Sequence, residues 1–190
     1  KNTLKVISAE LIRNELMNKK IIFEATPYRK SSNHYGARLV FLNDNSTDNT
    51  IEVIDDFLGE EATILSPVTK KFHEAKNRST MLEHSRSKEA DIVISIDADE
   101  LLSASTLMHF DWLVEQALDI HVFLYQYNVV GSLNKIRQDP AYVNNFRDFI
   151  FPMKHTGKFD ETQDRYHTPR TPPINLPDSP LKECGFIHLQ

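Results

Sequence analysis

Cysteine is nearly missing from this chain. Cys184 stands alone, so no internal disulfide can form, and a reducing compartment or indifference to redox state both fit. Long apolar runs are missing as well: no 18 consecutive apolar residues occur, which leaves nothing to span a membrane as a helix. Basic charge is not in excess, with 22 Lys and Arg against 27 Asp and Glu and a formal net charge of −5. A nucleic-acid binder ordinarily carries a basic patch, so no nucleic-acid partner is expected. A small anionic substrate stays compatible if a metal or local Lys and Arg neutralise it. Glycine is scarce, at five residues, and no glycine-rich loop lies near the first expected strand. No signal-peptide pattern opens the chain. The location is therefore expected to be cytoplasmic, with peripheral attachment to a membrane left open. Lys1 is not expected to be the natural start, and the stop at Gln190, directly after the strand-like Gly185-Phe186-Ile187-His188-Leu189, reads as the end of a fragment.

What is present is an ordinary soluble balance, 40% hydrophobic and 26% charged over 190 residues, enough for one domain with a sizeable core. Strand and helix signals alternate over the first two-thirds. Leu4 to Ile12 reads as a strand ending at Arg13-Asn14-Glu15, and a mixed segment around Ile21-Ile22-Phe23 follows up to Pro27. Arg38 to Leu42 is a short apolar strand. The cluster Asn43-Asp44-Asn45-Ser46-Thr47-Asp48 comes next, with Ser46, Thr47 or Asp48 able to cap a following helix. Ile51, Ile54 and Leu58 recur at helical spacing. Ala62 to Leu65 is the next strand, and Glu74 to Ser87 a helix with a thin apolar stripe of Ala75 and Leu82. Asp91 to Ile96 is a β-branched strand running into Asp97-Ala98-Asp99-Glu100. One amphipathic helix is expected after it, with Leu107, Phe110, Val114 and Ala117 on one face, and then a long aromatic strand from Ile120 to Val130. This alternation predicts an α/β fold whose sheet is mainly parallel and flanked by helices. Six of the nine prolines lie between Pro152 and Pro180. Thr168 to Pro173 cannot be regular helix or central strand and is read as a long ordered loop over the active face.

Ligands of open α/β sheets bind beyond the carboxyl ends of the strands. Three strand ends carry polar clusters here: Arg13 to Glu15, Asn43 to Asp48, and Asp97 to Glu100. Parallel neighbours would bring them to one edge. Asp97 and Asp99, one residue apart after a buried strand, suit a hard divalent cation that completes its shell with phosphate oxygens and water. Such a cation would neutralise charge developing on a diphosphate leaving group. The amides, hydroxyls and carboxylates around Asn43 and Asp44 suit hydrogen bonding to a nucleoside. The triplets Asn45-Ser46-Thr47 and Asn77-Arg78-Ser79 match the N-glycosylation pattern, but the first falls in the expected pocket and the pattern is common.

These segments resemble family-2 glycosyltransferases of the GT-A fold, a Rossmann-related architecture. Leu42-Asn43-Asp44-Asn45-Ser46-Thr47-Asp48-Asn49-Thr50 is similar to the family's "VDDGSTDNT" stretch, and Ile94 to Glu100 to its "DxD" stretch. Ala9 to Glu15 is similar to a first strand ending in "KNE" or "RNE". Glu74-Ala75-Lys76-Asn77-Arg78-Ser79 sits where the family has a basic helix start. The resemblance covers roughly residues 4–118 and loosens after Leu118. It implies one catalytic domain over 1–190, truncated, with a nucleotide-sugar-binding half at 1–118 and an acceptor-side half with the Pro-rich loop at 119–190.

The implied chemistry is metal-dependent transfer of a sugar from a nucleotide donor, usually a UDP-sugar, to a carbohydrate or other hydroxyl acceptor, with inversion and with Mn²⁺ or Mg²⁺. Asp99 is then the main metal ligand and Asp97 lies near the metal or ribose. Asn43 replaces the family's usual Asp at the nucleoside and offers an amide without charge. Glu15 and Arg78 match positions lining the nucleoside pocket. His188, ending a strand-like run, resembles a late histidine that completes the metal site in some members, and imidazole suits Mn²⁺ beside carboxylates. His155 and His167 are lesser candidates. Family members usually draw the catalytic base from an acidic residue well after the "DxD" strand. Here that is Asp160, Glu161 or Asp164, with Glu161 and Asp160 favoured because Phe159 could anchor their loop. Two rivals stand beside this reading: a degenerate transferase-like domain that binds without turnover, and a sugar nucleotidyltransferase, which would ordinarily carry a glycine-rich phosphate loop.

Overall fold

The computed structural model describes residues 39–189 apart from 70, 98, 141, 143 and 163–168. The strand and nucleoside contact expected before Arg38, Glu15 among them, lie outside the described residues, as do Asp164 and His167.

The chain begins with a βαβ unit. The apolar tetrapeptide Leu39–Leu42 forms β1, Thr50–Leu58 forms α1, and Ala62–Leu65 forms β2, parallel to β1 with Leu39 opposite Ala62. The N-cap position of α1 is Asn49, which makes no side-chain cap bond, so none of Ser46, Thr47 and Asp48 is the N-cap; Asp48 Oδ1, one residue before it, accepts from Thr50 N at 3.1 Å. Gly59 ends the helix at φ 48° and ψ −126°, a region that only glycine enters without strain. Helix α2, Glu74–Ser87, buries Ala75, Asn77, Leu82 and Ser85. Its thin apolar stripe is thus widened by small and polar side chains.

The remaining strands make a six-stranded sheet. They are β3 (Ile92–Ile94), β4 (Glu100–Leu102), β5 (His121–Val130), β6 (Ser132–Ile136), β7 (Phe146–Pro152) and β8 (Asp178–Leu189), ordered β3-β7-β5-β8-β4 with β6 also on β5. The α/β class holds, but the sheet is mixed where a mainly parallel one was expected. Among the described residues β1–β2 and β5–β8 are parallel, while β3–β7, β5–β7, β4–β8 and β5–β6 are antiparallel. The reason lies in the last third. Phe146–Pro152 runs back between β3 and β5, separating two strands that helical crossovers alone would have set side by side. The single helix expected after the Asp-x-Asp turn is two short ones, α3 (Ala104–Met108) and α4 (Phe110–Gln116), broken at His109.

The expected helix face is nevertheless the buried one. Phe110, Val114 and Ala117 join Leu113 against Val122, Leu124, Phe149 and Phe186 of the sheet. A second cluster of Leu82, Ala90, Phe151 and Met153 fixes α2 to the other strand edge, with Phe159 packed on it. No helix among the described residues is long and apolar enough to cross a membrane.

Candidate active site

Strand β3 ends at Ile94, but its ladder continues for one more bond, Ser95 N to Phe149 O at 2.9 Å. The chain then turns. Glu100 N donates to Asp97 O at 3.1 Å, and Glu100–Leu102 pairs with β8 so that Glu100 lies opposite His188. This strand-turn-strand sets Asp97 and Asp99 at a strand end, and it brings them beside the last residues of β8. Leu189 N donates to Asp99 O at 2.9 Å. His188 Nε2 comes to 3.4 Å from Asp99 Oδ2. The Asp99 side chain is 56% exposed and that of His188 24%, so the pair faces solvent from a partly sheltered wall.

Asp97 is surrounded differently. Its Oδ2 is 2.9 Å from Arg170 Nη2, and its Oδ1 is 3.6 Å from Arg78 Nη2. Arg78 is held in turn by Glu74 one helical turn earlier, through Nε at 3.1 Å and Nη2 at 2.8 Å. Arg170 belongs to the Pro-rich segment and is anchored by Glu100: Nη1 donates to Oε2 at 2.8 Å, and Nη2 donates to Oε1. The Glu100 side chain is fully buried. Burial pushes its carboxyl above the usual range, against the pull of Arg170. The two-pronged guanidinium contact, with Asp97 N also donating to Oε2 at 3.0 Å, is an arrangement that the carboxylate satisfies, and the pair is charged.

Residues predicted from the sequence therefore fall into groups. Asp97, Asp99, Arg78 and His188 are brought together. Asn43 and Asp44 lie at the end of β1, where Asn43 Oδ1 accepts from Ser46 N at 3.2 Å and Asp44 Oδ1 from Asn45 Nδ2 at 3.4 Å. Among the described residues no hydrogen bond or ion pair joins them to Asp97 or Asp99. Asp160 and Glu161 are exposed, and Asp160 Oδ1 accepts from Thr162 N at 3.0 Å in a local turn. Phe159 does anchor this segment, but to the cluster around Leu82 and Phe151. His155 sits in the 3₁₀ turn Met153–His155.

Sequence reasoning missed Glu100 and Arg170 as partners, and it missed two buried amides of β5, Gln126 and Asn128. His188 Nδ1 lies 3.0 Å from Asn128 Oδ1. A signal existed for the amides: two polar residues at period two inside the apolar, aromatic run His121–Val130. For Arg170 no local signal exists, since only the fold brings it to Glu100, 70 residues earlier.

The arrangement supplies one carboxylate oxygen and one imidazole nitrogen for a cation. Among the described residues no group of three His, Cys, Asp or Glu side chains could hold a metal ion, so a shell around Asp99 and His188 would be completed by substrate oxygens and water. Two guanidiniums stand beside it, suited to phosphate.

The family description for glycosyl transferase family 2 matches residues 26–166. No curated protein matches the chain. Among solved structures, S. aureus TarS superimposes with a TM-score of 0.59 at 14% identity, covering 96% of this chain and 35% of that one. S. aureus TarS 1-349 in complex with UDP gives 0.55 at 14% identity, covering 96% and 58%. At such identity the likeness is one of fold, the GT-A-like α/β architecture. The chain spans 35% and 58% of the lengths of these two structures.

Proposed function

This chain belongs to glycosyl transferase family 2, and from that membership we propose that it moves a sugar from a UDP-sugar to an acceptor hydroxyl, inverting the anomeric centre with the help of Mn²⁺ or Mg²⁺. The observation that carries the reading is the approach of His188 Nε2 to Asp99 Oδ2, 3.4 Å apart at the strand end. An imidazole nitrogen and a carboxylate oxygen on adjacent backbones suit Mn²⁺, which accepts both donor types. A cation held there would supply charge neutralisation for the leaving diphosphate.

The chain's own residues do the rest. Arg78 and Arg170, both beside Asp97, would donate guanidinium hydrogen bonds to phosphate oxygens of the donor. Asn43 and Asp44, with Glu15, offer amide and carboxylate groups for the nucleoside. Among Asp160, Glu161 and Asp164 we place the base that takes the acceptor proton, an assignment that rests on the family pattern. UDP in one of the similar structures favours the uridine class of donor.

Calorimetry of UDP binding with Mn²⁺ and with EDTA tests the reading. Mn²⁺ should strengthen UDP binding, and Asp99→Ala should remove the difference while leaving the weaker metal-free binding in place. If the variant keeps the full Mn²⁺ effect, Asp99 is not a ligand of the cation and the proposal fails.

A further inference from the structure

Strand β5 carries two amides where a sheet interior ordinarily holds apolar side chains. Gln126 and Asn128 are 5% and 2% exposed and stand two residues apart, on one face of the strand. A buried amide is costly unless its hydrogen bonds are kept. Here the bonds are kept, and they form a chain with a direction. Arg147 Nε donates to Gln126 Oε1 at 2.9 Å, and Asn145 Nδ2 donates to the same oxygen at 3.2 Å. Gln126 Nε2 donates to Asn128 Oδ1 at 2.9 Å. His188 Nδ1 lies 3.0 Å from that Oδ1, and Asn128 Nδ2 faces the Gln126 carbonyl at 3.5 Å.

The polarity is set at the arginine end. A guanidinium has donors and no acceptor, so the oxygen of Gln126 must face Arg147 and its nitrogen must face Asn128. Asn128 must then present its oxygen, which can only accept. The proton of the neutral imidazole therefore sits on Nδ1 of His188. The lone pair is left on Nε2, the atom 3.4 Å from Asp99 Oδ2.

We propose that Arg147, Gln126 and Asn128 are positioning residues that fix the tautomer of His188, so that Nε2 is offered together with Asp99 to a divalent cation. The proposal rests on the reading of Asp99 and His188 as the cation's ligands. None of the three residues need touch the cation or the donor; each acts through His188. Hydrogen-bond partners of this kind tune ligand basicity and orientation, and losing one typically weakens metal binding by about 10- to 100-fold.

Two isosteric variants separate the relay from a general effect of buried charge. Gln126→Glu keeps an acceptor toward Arg147 but loses the donor toward Asn128. The Asn128 amide should then turn its nitrogen to both neighbours, and His188 should carry its proton on Nε2. Asn128→Asp also adds a buried carboxylate, but it keeps an oxygen facing His188 and should keep the original tautomer. Long-range ¹H–¹⁵N spectra of histidine-labelled protein at pH 9, above the ordinary imidazole range, read the tautomer without metal or substrate, with His188→Gln giving the assignment. The expected pattern is a protonated Nδ1 in the parent and in Asn128→Asp, and a protonated Nε2 in Gln126→Glu. Titration of free Mn²⁺ by its paramagnetic resonance signal, with UDP present, should then show binding about 10- to 100-fold weaker in Gln126→Glu. A protonated Nε2 in the parent, or one tautomer in all three proteins, overturns the relay. The expected tautomers without any Mn²⁺ binding in the parent would overturn the metal reading and leave the relay standing.

Discussion

Glu100 carries more of this site's stability than its place in the turn suggests. Its side chain is wholly buried and that of Arg170 is 12% exposed, so each is the other's main compensation for lost water. Removing one member of such a pair strands a buried charge, which typically costs about 3–5 kcal/mol. Arg170→Met should therefore destabilise the fold by that order in urea unfolding. Adding Glu100→Gln should recover much of the loss, because the stranded charge is gone. A single variant within about 0.5 kcal/mol of the parent, the range of ordinary surface substitutions, would contradict the assignment. Asp97 shares Arg170 Nη2 with Glu100, so Arg170→Met also removes one of the two guanidiniums beside Asp97 and leaves Arg78 as the other.

At the scale of elements, β8 places His188 through an irregularity. In its first half β8 runs with Leu181 opposite Leu124 of β5; after the shift Gly185 lies opposite Tyr125 and His188 opposite Asn128. Continuing the first register would have put Gly185, not His188, beside Asn128. The extra residues bulge out, and bulges of this sort re-aim side chains next to active sites. Gly185 makes the shift possible. A Cβ there would meet Tyr127 Cε2 at 2.5 Å and the Tyr125 carbonyl oxygen at 2.6 Å. Its backbone is also clasped by Thr106, whose Oγ1 donates to Gly185 O at 2.6 Å and accepts from Gly185 N at 2.8 Å. Gly185→Ala should cost about 1–3 kcal/mol through overpacking and weaken Mn²⁺-dependent UDP binding by displacing His188. Gly131→Ala is the control: φ is 72° but no atom lies within 4 Å, so stability should fall without loss of UDP binding. Equal UDP binding by the Gly185 variant and the parent would show that the bulge does not aim His188. The elements that local pattern predicts best, α1 and β2, are those whose apolar residues lie between clear turn signals, and α2 is legible despite its thin stripe. The strand-like end of β8, Gly185 to Leu189, is legible, whereas β4 and the first part of β8 escape because Glu100 and Pro180 read as turn and loop until neighbours pair with them.

The whole molecule should respond to acid through His121, where the starts of β5 and β8 meet β7. Its Nε2 lies 3.3 Å from Asp148 Oδ1 and its Nδ1 3.4 Å from Asp178 Oδ1. Burial lowers its pKa below the ordinary 6.5, outweighing both carboxylates. The unfolded chain thus binds more protons than the folded one in this range. The stability linked to His121 is complete above pH 6.5 and is lost as pH falls through its lowered value. Asp148 and Glu100 act in the opposite sense. Burial raises both, so their contributions are complete below their ordinary values and are lost as pH rises through the raised ones. Melting temperature should therefore decline on acidification from about pH 7 toward pH 5 where the His121 window dominates, and His121→Gln should flatten or reverse that slope. An unchanged slope in the variant would remove His121 as the cause.

Local pattern by itself determined the βαβ start, the Asp97–Asp99 turn at the end of an apolar strand, and the family to which the chain belongs. Each depends on residues within a few positions of one another, where side-chain period, turn chemistry and strand ends are set by neighbours along the chain. The tertiary structure decided the rest. It determined that the sheet is mixed, that Arg170 reaches Asp97 and Glu100, and that a bulge brings His188 to Asn128 and Asp99. The contacts of Arg170 and His188 join residues 70 and 60 positions apart, and the mixed sheet turns on β7 docking between β3 and β5. No local propensity encodes them, because register and charge partners are chosen only when the strands dock and buried polar groups must find one another.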